Sequence, residues 1–142
     1  MGGAAFDKRR PPSAVNAGRP DHIRDKVTRN DAFCVASPDY WSLCADANSG
    51  ILLKSLALAA DGGVHGDVTV EAIGADKLAA VIDAAVSRYF ISSTDFTAAA
   101  DGLVAACEEA AAANLSGLST SDCRNVEKAL KATGLRGFAV LP

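Results

Sequence analysis

Histidine and cysteine are the residues of this chain that could hold a metal or act as a nucleophile, and both are scarce. The two histidines, His22 and His65, lie far apart, and neither is followed by a glutamate. A catalytic zinc site needs three protein ligands and one position open for water, so the sequence predicts no zinc site built by this chain alone. A nucleophilic pair of cysteine thiolate and histidine stays open, because four cysteines are present.

Helical patterns begin near residue 48, and they would position His65, Cys107 and Cys123. The first helix is predicted over residues 51–60, after the cap residues Asn48 and Ser49. It is apolar on nearly every face, which is typical of a helix at the centre of a domain. Gly62 and Gly63 end it, because glycine tolerates the left-handed backbone of a C-terminal cap. Alternating apolar and polar residues over 68–72 then predict a short extended segment or a hairpin.

Three further helices each show one apolar stripe. The stripe residues are Leu78, Val81, Ile82, Ala85, Tyr89 and Phe90 in the second helix, Phe96, Ala99, Leu103, Cys107 and Ala110 in the third, and Cys123, Val126 and Leu130 in the fourth. Asp95 offers a cap for the third helix, and Ser119 with Asp122 resembles a capping box for the fourth. Gly102 should cost the third helix about 1 kcal/mol relative to alanine, and Gly134 ends the fourth. We predict a mainly α fold of about four to five packed helices with a short extended segment or hairpin.

This helix arrangement predicts one disulfide. Cys107 lies near the end of the third helix and Cys123 near the start of the fourth. Antiparallel helices joined by a short loop bring such positions within the Cα separation of about 4.4–6.8 Å that a disulfide requires. The alternative is that all four cysteines stay reduced and serve as small apolar core residues.

Composition excludes several classes of partner. The chain has 142 residues, 49% of them hydrophobic, and a net charge of −3. This charge argues against a nucleic-acid partner. No apolar run is long enough for a membrane span, and the first residues lack the apolar run of a secretory signal.

Three blocks in the middle of the chain resemble one protein family. Residues 48–51 (NSGI), 62–65 (GGVH) and 73–78 (IGADKL) are similar, in order and spacing, to the C-terminal helical domain of the thermolysin-like zinc metallopeptidases. The resemblance covers residues 9–138. The resemblance implies an insertion at residues 31–45. It leaves residues 1–8 as a disordered or irregular arm and residues 139–142 as a tail.

The resemblance implies roles for Arg9, Asn48 and Asp46. Arg9 stands where the family has an arginine that bonds the substrate carbonyl, and Asn48 would also lie on the substrate side of the cleft. Asp46 stands in place of a family histidine that stabilises the oxyanion, and Trp41 replaces the aspartate that orients this histidine. An aspartate is an anion at neutral pH and would repel an oxyanion. Asp46 therefore implies poor catalysis even beside an intact zinc-bearing half.

A second disulfide is predicted between Cys34 and Cys44. These cysteines bracket the segment that has no family counterpart, and a cross-link helps most in a long irregular insertion. Two disulfides favour a secreted or extracellular protein. Truncation from a longer secreted precursor would reconcile this expectation with the missing signal.

The functional expectation follows from the family and from what this chain lacks. The family's domain forms one wall of the peptide-binding cleft of a zinc metalloendopeptidase, but HExxH is absent from these residues. We expect no cofactor on this chain alone, zinc only through a partner half, and a peptide substrate after reconstitution. The alternatives are a non-enzymatic helical module that binds a protein through an exposed apolar face, and a degenerate pseudopeptidase fragment.

Overall fold

The computed structural model describes residues 20–26 and 48–136, which fall in two units of the chain, residues 1–54 and 55–142. In the first unit a 3-10 helix spans Ile23–Asp25. His22 caps this helix, because its Nδ1 accepts a hydrogen bond from the Arg24 N–H at 3.1 Å. Helix α1, Ser49–Asp61, begins in the first unit and continues into the second.

The second unit combines helices with one hairpin. Its elements after α1 are strand β1 (Gly63–His65), strand β2 (Val68–Val70), helix α2 (Ala75–Arg88), helix α3 (Phe96–Ala112), a 3-10 helix (Leu115–Gly117) and helix α4 (Thr120–Ala132). The strands pair antiparallel, with Val64 opposite Thr69. Helix α3 packs against both α2 and α4, and β2 packs against α4. The mainly α fold with a short hairpin is therefore confirmed.

Predicted cap residues begin two of the helices. The Asp95 carboxylate accepts a hydrogen bond from the Ala98 N–H at 2.8 Å at the start of α3. Ser119 and Asp122 form a capping box at the start of α4, and Lys77 donates to Asp122 at 2.9 Å. Partial burial acts to raise the pKa of Asp122, but the hydrogen bonds from Lys77 and Ser119 outweigh it and lower the pKa. Lys77 thus links α2 to the cap of α4.

Small aliphatic residues make up most of the core of the second unit. Its buried apolar side chains include Leu58, Ala59, Leu78, Val81, Ala85, Ala99, Ala100, Leu103, Val104, Ala106, Ala110, Val126, Ala129 and Leu130. Side chains of this size let the helix axes approach closely. The buried part of the predicted stripe of α2 extends to Ala85, and Tyr89, which follows the end of the helix at Arg88, is 37% exposed. Tyr89 thus belongs to the predicted apolar stripe by its spacing but is not buried in the core.

One buried pair of hydroxyl groups joins α1 to the end of α4. Ser55 Oγ and Thr133 Oγ1 lie 2.7 Å apart, and Thr133 also donates to the Leu130 carbonyl oxygen at 3.1 Å. Ser55 and Thr133 are 1% and 0% exposed. Loss of either hydroxyl would leave its partner buried without this bond, which costs about 1–3 kcal/mol.

Gly102 has a packing role that its helix propensity does not reveal. A Cβ at this position would lie 3.0 Å from Tyr89 Cβ and 3.1 Å from Phe90 Cε1. The chain at the end of α2 therefore approaches the α3 backbone directly. Alanine would have to displace these neighbours, so its predicted advantage over Gly102 is offset by crowding.

The hairpin turn packs against the end of α4. Both of its central residues, Gly66 and Asp67, have positive φ angles of 55° and 62°, as a type I′ turn requires. A Cβ at Gly66 would lie 2.6 Å from the carbonyl oxygen of Ala132. Because that neighbour is backbone, relief of the contact requires the hairpin or the helix end to move.

Gly66→Ala is expected to lower the free energy of unfolding by about 2–3 kcal/mol, from the left-handed backbone and the forced contact together. Urea unfolding followed by circular dichroism measures the loss. Gly117→Ala is the matched control, since Gly117 has a φ of +71° and its Cβ would meet only Lys77 Cε, at 4.0 Å. Equal losses in the two variants would show that the contact with Ala132 contributes nothing.

Candidate functional site

Of the predicted substrate-side residues, Asn48 lies within the described part of the chain. Asn48 immediately precedes helix α1, and its carbonyl oxygen accepts a hydrogen bond from the Ile51 N–H at 3.0 Å. Asn48 is 6% exposed. Arg9, Asp46 and Trp41 lie outside the described residues, so the roles assigned to them stay predictions. A substrate contact by Asn48 likewise stays a prediction.

The histidines occupy unrelated positions in the chain. His22 caps the first 3-10 helix, whereas His65 is the last residue of β1 and is half-buried. They belong to different units. Among residues 20–26 and 48–136, no three side chains of the histidine, cysteine, aspartate or glutamate type cluster as metal ligands. The described side chains therefore do not fit a zinc site.

The third and fourth helices of the chain are cross-linked as predicted. A disulfide joins Cys107 in α3 to Cys123 in α4, with a Cα separation of 5.6 Å, and both residues are buried. The alternative of four reduced cysteines is wrong for this pair. A disulfide sulfur is not a thiolate, so neither residue serves as the nucleophile of a cysteine–histidine pair. Cys34 and Cys44 lie outside the described residues, and their pairing stays a prediction.

A cluster of exposed polar side chains connects α2 to α3. Tyr89 donates its hydroxyl hydrogen to Glu109 at 2.6 Å, and Arg88 lies 3.7 Å from the same carboxylate. The hydrogen bond to Glu109 raises the pKa of Tyr89 above its usual value. Exposed contacts of this kind contribute little to stability. Sequence analysis did not find this cluster, because its members lie on separate helices and carry no shared motif.

In the described part of the chain, no helix combines the length and apolar character needed to cross a membrane.

Comparison with known proteins identifies a family over most of the chain. Residues 5–135 match the family described as "Thermolysin metallopeptidase, alpha-helical domain". Bacillolysin from Bacillus cereus is 36% identical over 118 residues, which are 83% of this chain and 18% of that protein. Thermolysin from Alicyclobacillus acidocaldarius subsp. acidocaldarius is also 36% identical over 118 residues, 83% of this chain and 19% of the relative. Neutral protease B from Bacillus subtilis (strain 168) is 32% identical over the same shares. The chain thus spans less than a fifth of the length of these relatives.

Proposed function

The chain belongs to the thermolysin metallopeptidase family, as its alpha-helical domain, and from this membership we propose that it forms one wall of the peptide-binding cleft of a zinc metalloendopeptidase. The observation that carries this proposal is the family match over residues 5–135, with relatives named as proteases. The helices and the hairpin are the elements on which such a wall would be built. The zinc ligands would come from another half, because HExxH is absent from these residues.

In this proposal the domain contributes substrate contacts near α1. Arg9 would hydrogen-bond a carbonyl oxygen of the bound peptide, since a guanidinium offers five donors in a fixed geometry. Asn48, the residue immediately before α1, would supply a second contact. Its low exposure would shield that hydrogen bond from water. Hydrogen bonds are electrostatically stronger in the low dielectric of a protein interior than in water.

We propose that catalysis by the assembled enzyme is weak. Asp46 occupies the place of the family's histidine and would bring a negative charge toward the developing oxyanion. Trp41 cannot accept the hydrogen bond through which an aspartate orients such a histidine, because the indole N–H only donates. These two residues, rather than the helical scaffold, would limit the rate.

The purified chain is expected to bind no stoichiometric zinc and to cleave no casein. The reason is that three-ligand spacing is absent from its sequence. Elemental analysis after dialysis measures the metal, and release of casein fragments measures the activity. Full-length bacillolysin from Bacillus cereus, prepared in parallel, is the positive control. One equivalent of zinc that survives dialysis would overturn this expectation.

A second candidate function is a non-enzymatic module that binds another protein. Large apolar side chains in the second unit support it, since Val64 is 71% exposed and Ile91 is 70% exposed. Titration with a separately expressed zinc-bearing half of a family peptidase discriminates the two functions. Peptide cleavage above the level of the zinc-bearing half alone, even if slow, favours the cleft wall, whereas binding that leaves this level unchanged favours the module.

We also propose that the protein matures in an oxidising compartment or outside the cell. Disulfides persist in secreted proteins and are rare in proteins of reducing compartments. The Cys107–Cys123 bond therefore supports this location. The proposal is tested by the redox state of the chain recovered from its source: trapping with a thiol-alkylating reagent before lysis should label neither Cys107 nor Cys123.

A further inference from the structure

The loop between α3 and α4 carries an unassigned modification motif. Asn114, Leu115 and Ser116 form the triplet in which an asparagine is followed, two positions later, by serine or threonine with a residue other than proline between them. No other asparagine of the chain is followed in this way. Enzymes that attach N-linked glycans recognise this triplet, which is expected on surface loops of secreted proteins.

The structure places this triplet where a glycan could be accommodated. Every residue over 112–117 is exposed, so the loop is open to solvent on both sides of Asn114. Asn114 has a left-handed backbone (φ 56°, ψ 35°) and its side chain makes no capping hydrogen bond to the 3-10 helix that follows. Asparagine adopts this conformation more readily than most residues. The amide is therefore presented to solvent without disturbing either neighbouring helix.

The other described asparagines do not share this environment. Asn48 and Asn125 are each 6% exposed. The Asn125 amide is also committed to the fold, because its oxygen accepts from the Glu71 N–H at 3.0 Å and its nitrogen donates to the Ser121 carbonyl oxygen at 3.1 Å. Among the described asparagines, the exposed one is thus also the one that carries the acceptor triplet.

A second observation ties the same loop to a secretory route. The triplet lies within the chain segment closed by the Cys107–Cys123 disulfide. Such a bond forms in an oxidising compartment such as the endoplasmic reticulum, which is also where N-linked glycans are added. The disulfide and the acceptor triplet are chemically independent, and both are typical of proteins that pass through an oxidising secretory compartment.

We propose that Asn114 is an attachment site for an N-linked glycan. The donor is a polyprenyl-pyrophosphate-linked oligosaccharide. The side-chain nitrogen of Asn114 forms a bond to the anomeric carbon of the first sugar, the bond from that carbon to the pyrophosphate oxygen breaks, the amide loses one proton, and the polyprenyl pyrophosphate leaves. The attached glycan would then cover Leu115, which is 57% exposed.

Secretion of the full chain from a eukaryotic host, behind a cleavable signal, tests the proposal. The secreted and retained pools are both analysed by intact mass and peptide mapping. We expect one glycan on Asn114, and its release by an amide-cleaving glycosidase converts this residue to aspartate. Ser116→Ala is expected to abolish the modification, whereas Ser116→Thr retains it.

Asn114→Asp is the matched control, because aspartate has the same size and also tolerates the left-handed backbone. This variant should lose the glycan and keep the Cys107–Cys123 disulfide, which shows that the fold is intact. Disulfide-bonded chain that carries no sugar at Asn114 would overturn the proposal. This outcome does not bear on the cleft-wall function, whose proposed residues lie elsewhere.

Discussion

Replacement of Cys107 and Cys123 by alanine is expected to lower the free energy of unfolding by about 3 kcal/mol. The bond closes a loop with a sequence separation of 16, and in the chain-entropy model a loop of this length restricts the unfolded state by that amount. The two residues are 0% and 5% exposed, so the bond also lies inside the packed contact between α3 and α4. The cross-link connects two helices that form much of the core.

Urea unfolding of the double variant against the parent chain measures this loss. The double variant Cys34→Ala/Cys44→Ala serves as the comparison, since it leaves the α3–α4 cross-link in place and reports on the second predicted pairing. Reductant alone would not separate the two effects. Unchanged stability of the Cys107/Cys123 variant would show that the cross-link is dispensable for the fold.

Asp46→His is expected to raise the kcat of a hybrid peptidase by about 100-fold, where the hybrid joins this domain to an intact zinc-bearing half of a family member. Loss of one oxyanion donor from a hydrolase costs about 10²–10³ in kcat, and the substitution would restore such a donor. It would also remove a negative charge that opposes the transition state. The gain should stay near the lower end of the range, because Trp41 cannot orient the new imidazole.

Steady-state cleavage of a short peptide by the two hybrids gives kcat and KM separately. Asp46→Ala is the control that removes the charge without a donor, and we expect it to recover only part of the gain. Trp41→Asp combined with Asp46→His should raise kcat further. A hybrid that is fully active with Asp46 in place would show that the alignment around residues 41–48 is shifted.

The local elements of this protein could be predicted from its sequence because their causes are local. Apolar residues at helical spacing placed α2, α3 and α4, and the side chains of Asp95, Ser119 and Asp122 mark helix starts through bonds to residues three positions away. The Cys107–Cys123 bond was also predictable, since a short loop between antiparallel helices leaves their facing ends little freedom. The family was evident from three short blocks whose order and spacing are preserved.

Contacts between elements distant in sequence were decided only by the tertiary structure. Helix propensity alone predicts that Gly102 destabilises α3. The structure shows that Tyr89 and Phe90 pack so close to Gly102 that a larger side chain would crowd them. The spacing of Tyr89 continues the apolar stripe of α2. In the structure the helix ends one residue before Tyr89, and the Tyr89 hydroxyl group donates to Glu109.

Two further examples have the same physical cause. Gly66 carried no signal beyond its turn, although the carbonyl oxygen of Ala132 leaves no room for a Cβ there. Arg136 links α3 to α4 by donating to Asp101 and Glu127, at 2.6 and 3.0 Å. Each of these contacts depends on how two elements are positioned relative to each other. Periodicity and caps report only on the residues of one element, so the sequence pattern determines which helices form, and their packing determines which side chains meet.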